Sequence, residues 1–201
     1  YDEAARVAHL RSVAQEATRG LGRMAAARMS EREAEEAVAR CGGDLQVACV
    51  NSPSSVTIAG PKKALEELKR KLAPAGVPVR LLDLDYAFHH PVLDSIREGL
   101  LKSLGEIETG VVTVPMISTV TGEPIAPEAL GPEYWWENVR RPVRFGPAVA
   151  KLVDDGFNVF VEVGPHPILL SYVRESPSAP SASVETIGLG HRDGSGPDRL
   201  A

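Results

Sequence analysis

Two cysteines in 201 residues are too few for a disulfide framework. Cys41 and Cys49 have no zinc-type partners at short spacing, and a reducing cytoplasm suits them. No apolar run approaches the ~20 residues of a membrane span. The acidic, amphipathic start YDEAARVAHLRS is not signal-like. Lys and Arg number 22 against 27 Asp and Glu, a net charge of −5. A nucleic-acid partner is therefore not expected, because phosphate neutralisation needs clustered cations. There is no internal repeat and no low-complexity block. The pentapeptide G-x-S-x-G, which puts a nucleophilic serine on a sharp strand-to-helix turn, is also absent. The nearest text, HRDGSGPD, lies in a polar tail with no apolar strand before it and no helix after it.

What is present is an ordinary globular composition, 43% hydrophobic and 24% charged. A chain this long buries roughly 70% of its unfolded surface without staples. Apolar spacing predicts a helix over residues 3–18, entered with no cap, so the chain is expected to be cut from something longer. A strand follows at 22–28. Ser30 with Glu33 three positions on is a capping box opening a helix that stops at Gly42 and Gly43. Strands at 45–50 and 55–60 flank the turn-forming NSPS. Pro61 is expected at the first position of a helix ended by Gly76, and 77–84 forms a fourth strand. Over 22–84 this order is β-α-β-β-α-β, the ferredoxin-like plan. Beyond it the reading is a helix from Pro91 to about Gly105, a strand and Thr-Gly turn in 114–125, and a short helix stopping before Pro142. A helix over 146–156, a buried parallel strand at 158–164, a helix begun by Pro165 and a last strand in 183–190 complete it. The fold class is α/β with the ferredoxin-like unit inserted. Residues 191–201 read as a linker or tail.

The chemistry-bearing candidates are few. In LDLDYAFHHPVLD, His89 and His90 follow a strand-like run, where a neutral imidazole suits general-base work at pH 7. Packing or solvation is the plainer alternative. A shared metal is disfavoured, since neighbours on a strand point to opposite faces. Arg11 sits near Val7 and Leu10, where a guanidinium can take a carboxylate in bidentate fashion or simply face water. Asn138, Arg140, Arg141 and Arg144 can orient a base, attract an acidic carrier, or form a solvated face. The turn VGPHP at 163–167 reads as packing, with His166 structural.

Several stretches together resemble one family. EAARVAHLRSVAQ, GRMAAA, VACVNSPSSVTIAGP, DYAFHHPVLD, VPMISTVTGEPI, YWWENVRRPVRF and FVEVGPHPILL are similar, in order and over about residues 1–190, to the acyltransferase domains of modular polyketide synthases. These domains are relatives of malonyl-CoA:acyl carrier protein transacylases. The resemblance implies an α/β-hydrolase-like large subdomain, here 1–21 and 85–190, with a ferredoxin-like small subdomain at 22–84. It implies a reaction in which a serine takes an acyl group from coenzyme A and passes it to the phosphopantetheine thiol of an acyl carrier protein. No bound cofactor or metal is implied.

Residue by residue, the resemblance makes His89 the base, Arg11 the partner of the extender carboxylate, and Asn138 the position whose main-chain carbonyl orients the histidine. Tyr86, Ala87, Phe88 and His89 occupy the family's specificity tetrapeptide. HAFH accompanies malonyl and YASH methylmalonyl, so YAFH is a hybrid. Phe88 is expected to crowd an α-methyl and favour malonyl, while His90 is given no role. The resemblance also puts the GHSxG nucleophile and a Gln-bearing oxyanion loop ahead of the helix that opens this chain. The expectation is a base and a clamp without a nucleophile, inactive without the missing N-terminal part of the same domain and exposing apolar edges. The alternative is a non-catalytic module that docks a carrier protein or a neighbouring domain.

Overall fold

Short apolar runs separated by turn residues build a sheet in the first half of the chain, even where, as in Arg23–Ala27, the residues themselves favour helix. In this computed structural model, which describes residues 2–111, 113–176 and 183–190, four strands form one antiparallel sheet in the order β2-β3-β1-β4. They are β1 (Arg23–Ala27), β2 (Gln46–Ser52), β3 (Ser55–Gly60) and β4 (Val79–Leu81). Helices α2 (Glu31–Ala39) and α3 (Lys62–Leu72) connect them as strand, helix, strand, strand, helix, strand. Period-two alternation turns Ala25, Ala27, Val56 and Ile58 toward Ala34, Leu65 and Leu68 of the two helices. Leu65 and Leu68 are fully buried there, each worth ~1.5–3 kcal/mol of transfer free energy. The capping box forms, with the Glu33 amide donating to Ser30 Oγ and the Glu33 carboxylate accepting from the Ser30 amide. Pro61 stands one place earlier than expected, as the cap before α3.

The opposite sheet face carries Met24, Ala48 and Ala59, and the loop after β4 lies over it through Ala87 and Phe88. Close approach is possible because two residues there lack a Cβ. A Cβ on Gly22 would lie 2.7 Å from Ala87 Cβ and 2.9 Å from the Gly60 carbonyl oxygen. One on Gly60, at φ +153°, would lie 2.5 Å from the Asp44 carbonyl oxygen. Gly22→Ala is expected to destabilise the protein by ~1–3 kcal/mol through overpacking, read as a lower urea midpoint at unchanged slope.

A second core joins α1 (Asp2–Glu16), α4 (Arg97–Leu104) and α5 (Pro132–Arg140) through Val7, Leu100, Leu104, Trp136 and Val139. Arg6 ties α1 to the end of α4 by donating to the carbonyls of Leu104 (2.8 Å) and Glu106 (2.9 Å). Next come α6 (Phe145–Asp154), β5 (Val159–Glu162), α7 (Leu170–Glu175) and β6 (Glu185–Gly188). The two units are stitched where Val143 bridges β2: its amide donates to Ala48 and its carbonyl accepts from Val50, both at 2.8 Å. No helix among the described residues is long and apolar enough to cross a membrane.

Five further expectations change. Strand 77–84 shrinks to Val79–Leu81, because Pro78 has no amide for the ladder and the chain turns away after Leu82. The helix expected from Pro91 starts as a 3₁₀ turn, Pro91–Ile96, before α4. The strand expected within 114–125 is reduced to one isolated bridge, Ile117 with Pro124. The run 158–164 is parallel with β6 but not buried. Val159 and Val161 are each 50% exposed, because β5 has one neighbour and one covered face. The helix expected from Pro165 starts only at Leu170. Pro167 biases its predecessor away from helix, and the Glu162 carboxylate accepts the amides of Ile168, Leu169 and Leu170 instead. The expected tail 191–201 lies outside the described residues.

Candidate active site

The loop crossing the sheet supplies the candidate base. His89 is the only non-glycine residue at positive φ (60°) among the described residues. Such a backbone costs about 1–3 kcal/mol and persists only where the surroundings dictate it. Here they do. Asp85 before it accepts the Gly20 amide (2.8 Å) and pairs with Arg23, and His90 after it is held at both ring nitrogens. His90 Nδ1 accepts the Val92 amide (3.1 Å), and Nε2 donates to the Asp44 carbonyl (3.1 Å). The neutral tautomer protonated at Nε2 satisfies both contacts, and burial pushes the His90 pKa down in the same sense. His90 thus caps the Pro91–Ile96 turn, a structural use of the second histidine.

His89 is the contrasting case. Its Nδ1 is buried with no hydrogen-bond partner. Burial pulls its pKa down from 6.5 to about 4. The Arg141 main chain opposes this by hydrogen bonding, and the charges of Arg11 and Arg140 add to it. The ring is therefore neutral at pH 7 with a lone pair available. The main-chain group that acts on it belongs to Arg141, three residues past Asn138, at the end of α5. The Val143 bridge to β2 fixes that carbonyl's neighbourhood.

Arg11 reaches the same place from α1, close enough that its charge bears on His89. Its guanidinium lies 5.7 Å over the Trp135 ring, and its Nε is buried without a partner. Burial lowers its pKa, as expected of a cation without a counter-ion. Trp135 itself is held by donating to the Leu130 carbonyl (3.0 Å) and by an edge contact with Tyr134. A neutral base and a half-buried cation whose charge acts on it form a site that can accept a proton and hold an anionic group at once.

Tyr86 and Phe88 precede His89 on the same loop. Their rings stack at 4.9 Å and 9°, and the Tyr86 hydroxyl meets Glu16 and Arg19 at the end of α1. The remaining arginines are tethers. Arg140 donates to Asp94 (2.7 Å) and Gln46 (3.2 Å), Arg141 pairs with Glu137, and Arg144 pairs with Glu31. Among the described residues no hydroxyl or thiol is hydrogen-bonded to His89. Burial raises the Cys49 thiol to about 11, which leaves it protonated and inert. Trp135 is a site element that sequence reading missed, with only its place three residues before Asn138 in YWWENVRRP as a hint. Arg141 was named within a cluster able to orient a base, but that it acts through its main chain was not legible.

Comparison with known proteins bears on this geometry. The family model described as acyl transferase domain matches residues 1–200. Polyketide synthase GfsB of Streptomyces halstedii is 41% identical over 200 residues, which are 99% of this chain and 4% of that synthase. The solved acyltransferase domain from module 8 of the salinomycin polyketide synthase superposes with a TM-score of 0.91 at 38% identity, covering 95% of this chain and 45% of that one. The acyltransferase domain of SpnD, solved in complex with 2-(pent-4-yn-1-yl)malonyl, gives 0.83 at 28% identity, covering 99% and 48%. This chain thus spans less than half the length of each of these proteins.

Proposed function

The chain belongs to the acyl transferase domain family, and from that premise we propose that it carries the base and the carboxylate clamp of a polyketide synthase acyltransferase. The reaction is transfer of an extender acyl group from an acyl-CoA, through an acyl-serine, to an acyl carrier protein. The observation that carries this reading is the pairing of His89 and Arg11, each with a buried nitrogen that lacks a partner. The Arg11 charge also acts on the His89 ring, which burial keeps neutral.

In the first half-reaction a serine Oγ attacks the thioester carbonyl while His89 takes the hydroxyl proton. The C–S bond breaks, and the proton passes from His89 to the departing CoA sulfur. In the second half His89 takes the proton of the phosphopantetheine thiol on the carrier protein. The sulfur attacks the ester carbonyl, and the serine oxygen leaves with the proton. Arg11 holds the free carboxylate of the extender throughout, and the Arg141 main chain orients the His89 ring, with Asn138 one turn earlier on the same helix. No resident cofactor or metal is needed, and the setting is cytoplasmic.

We assign the serine to a partner segment of the same domain, outside this chain. A groove of about 670 Å³ between residues 114–124, α6 and β5–α7 is almost wholly apolar, and beside it Val159 and Val161 of β5 stand half exposed. That face suits the packing of further strands of a larger α/β layer. In this reading 22–84 is the ferredoxin-like small subdomain, supported by its antiparallel β2-β3-β1-β4 order, and 1–21 with 85–190 belong to the α/β-hydrolase-like large one.

The extender is malonyl by preference, because the Phe88 ring narrows the space for an α-substituent. The test is intact-mass analysis of the full-length protein with equal malonyl-CoA and methylmalonyl-CoA. The expected result is a malonyl ester on one serine that discharges when holo carrier protein is added. Carrier binding with no acyl-enzyme would instead favour a non-catalytic docking module.

A further inference from the structure

We propose that Glu16 and Arg19 are positioning residues for acyl-group selection, holding the Tyr86–Phe88 stack at a fixed distance from the Arg11 clamp. The proposal rests on the reading of Phe88 as the wall of the acyl pocket and adds two residues that no motif points to.

The Tyr86 hydroxyl is a node. It accepts Arg19 Nε–H at 2.9 Å and donates to Glu16 Oε2 at 2.5 Å, and Arg19 and Glu16 pair with each other at 3.1 Å. The Arg19 guanidinium also lies 5.6 Å from the centre of the Tyr86 ring. A phenol held at its oxygen and over its face has little freedom to swing. Phe88 is stacked on that ring, nearly parallel, and backed by Met24, Ala48, Ala59 and Ala87. Tyr86 is thus one support of the Phe88 wall, and Glu16 at the end of α1, with Arg19 just beyond it, holds it in place.

The same helix carries Arg11. The Gly20 amide, just past its end, donates to Asp85 at 2.8 Å, which ties the base of the 85–90 loop to α1 as well. This geometry matches the chemistry of the choice. The α-substituent of an extender sits on the carbon between its carboxylate and its thioester carbonyl. Telling malonyl from methylmalonyl therefore needs a fixed distance from the carboxylate clamp to the wall. Here α1 and the turn that follows it carry both ends of that distance. The contacts of Glu16 and Arg19 are solvent-exposed and contribute little to folding, so their loss is expected to register in selection rather than in stability.

The experiment measures kcat/KM for malonyl-CoA and methylmalonyl-CoA in competition on the full-length protein, with the thermal midpoint of each variant. Glu16→Ala and Arg19→Ala are expected to lower the malonyl:methylmalonyl ratio by on the order of tenfold, most of the value of one methyl, through a rise in the methylmalonyl term. Glu16→Gln keeps an acceptor for the phenol and is expected to retain most of the ratio. Phe88→Ala is the control for the wall. If it shifts the ratio while Glu16→Ala and Arg19→Ala do not, the positioning role is wrong and the wall stands. If Phe88→Ala leaves the ratio unchanged, the wall reading is wrong and this assignment falls with it. A fall in both kcat/KM values together with the thermal midpoint would also overturn the proposal, since that is what a merely structural contact gives.

Discussion

Replacing His89 by asparagine is expected to slow acyl loading of the full-length protein by about 10³-fold or more, the usual worth of a base that serves a nucleophile. Asparagine is the informative substitution because it tolerates the left-handed backbone that His89 adopts at φ 60°. Alanine would add strain to the loss of chemistry. A protein with unchanged thermal midpoint and no acyl-serine would isolate the proton transfer. Loading within tenfold of the unsubstituted rate would show that another group is the base. The pH dependence has a definite sign. The folded ring titrates near 4, whereas the unfolded one titrates near 6.5. Between those values the unfolded chain binds the extra proton, so stability falls as pH drops from about 6.5 toward about 4. His89→Asn is expected to remove that part of the decline. Over the same range the base stays neutral, so the acid limb of kcat/KM for loading is expected below 6.5. A limb at 6.5 or above would contradict the burial that sets it.

How much of this was legible in the sequence depends on how far each determinant lies along the chain. Ser30 and Glu33 are three residues apart, and the capping box follows from that spacing alone. The strand and helix order of 22–84 could be read for the same reason, from local period and turn residues. The β5 run was misjudged because apolar side chains record what a strand tends to bury and not whether a second neighbour is there to bury it. The start of α7 was misplaced because its amides are taken by Glu162, a carboxylate several residues upstream. At the site, Arg11 and His89 could be named from their own motifs. The Arg141 main chain could not, because its place is set by Val143 bridging to β2, some ninety residues earlier in the chain. Arg140 read as a solvated charge until Asp94 and Gln46 came alongside it.

Arg11→Ala is expected to lower kcat/KM for malonyl-CoA by about 10²–10³-fold while leaving loading from acetyl-CoA undiminished, so that discrimination between them collapses. Removing one partner of a desolvated, hydrogen-bonded charge pair costs on the order of 2–5 kcal/mol, and an acetyl group never makes that pair. The unliganded protein already bears part of the cost. Arg11 Nε is buried without a partner over Trp135, and burial lowers its pKa. A buried cation without its counter-ion destabilises the fold that holds it. Arg11→Met, which fills the same space without charge, is therefore expected to melt at the same temperature as the unsubstituted protein or higher, even as selectivity is lost. Arg11→Lys is not expected to restore malonyl loading, because an ammonium lacks the planar fork that meets both carboxylate oxygens. The two site residues are also coupled. The Arg11 charge helps to hold the His89 pKa down, so Arg11→Ala is expected to move the acid limb of the residual activity upward. If that limb stays put while malonyl selectivity is lost, the two side chains do not share one site. If selectivity survives in Arg11→Ala, the carboxylate is held elsewhere.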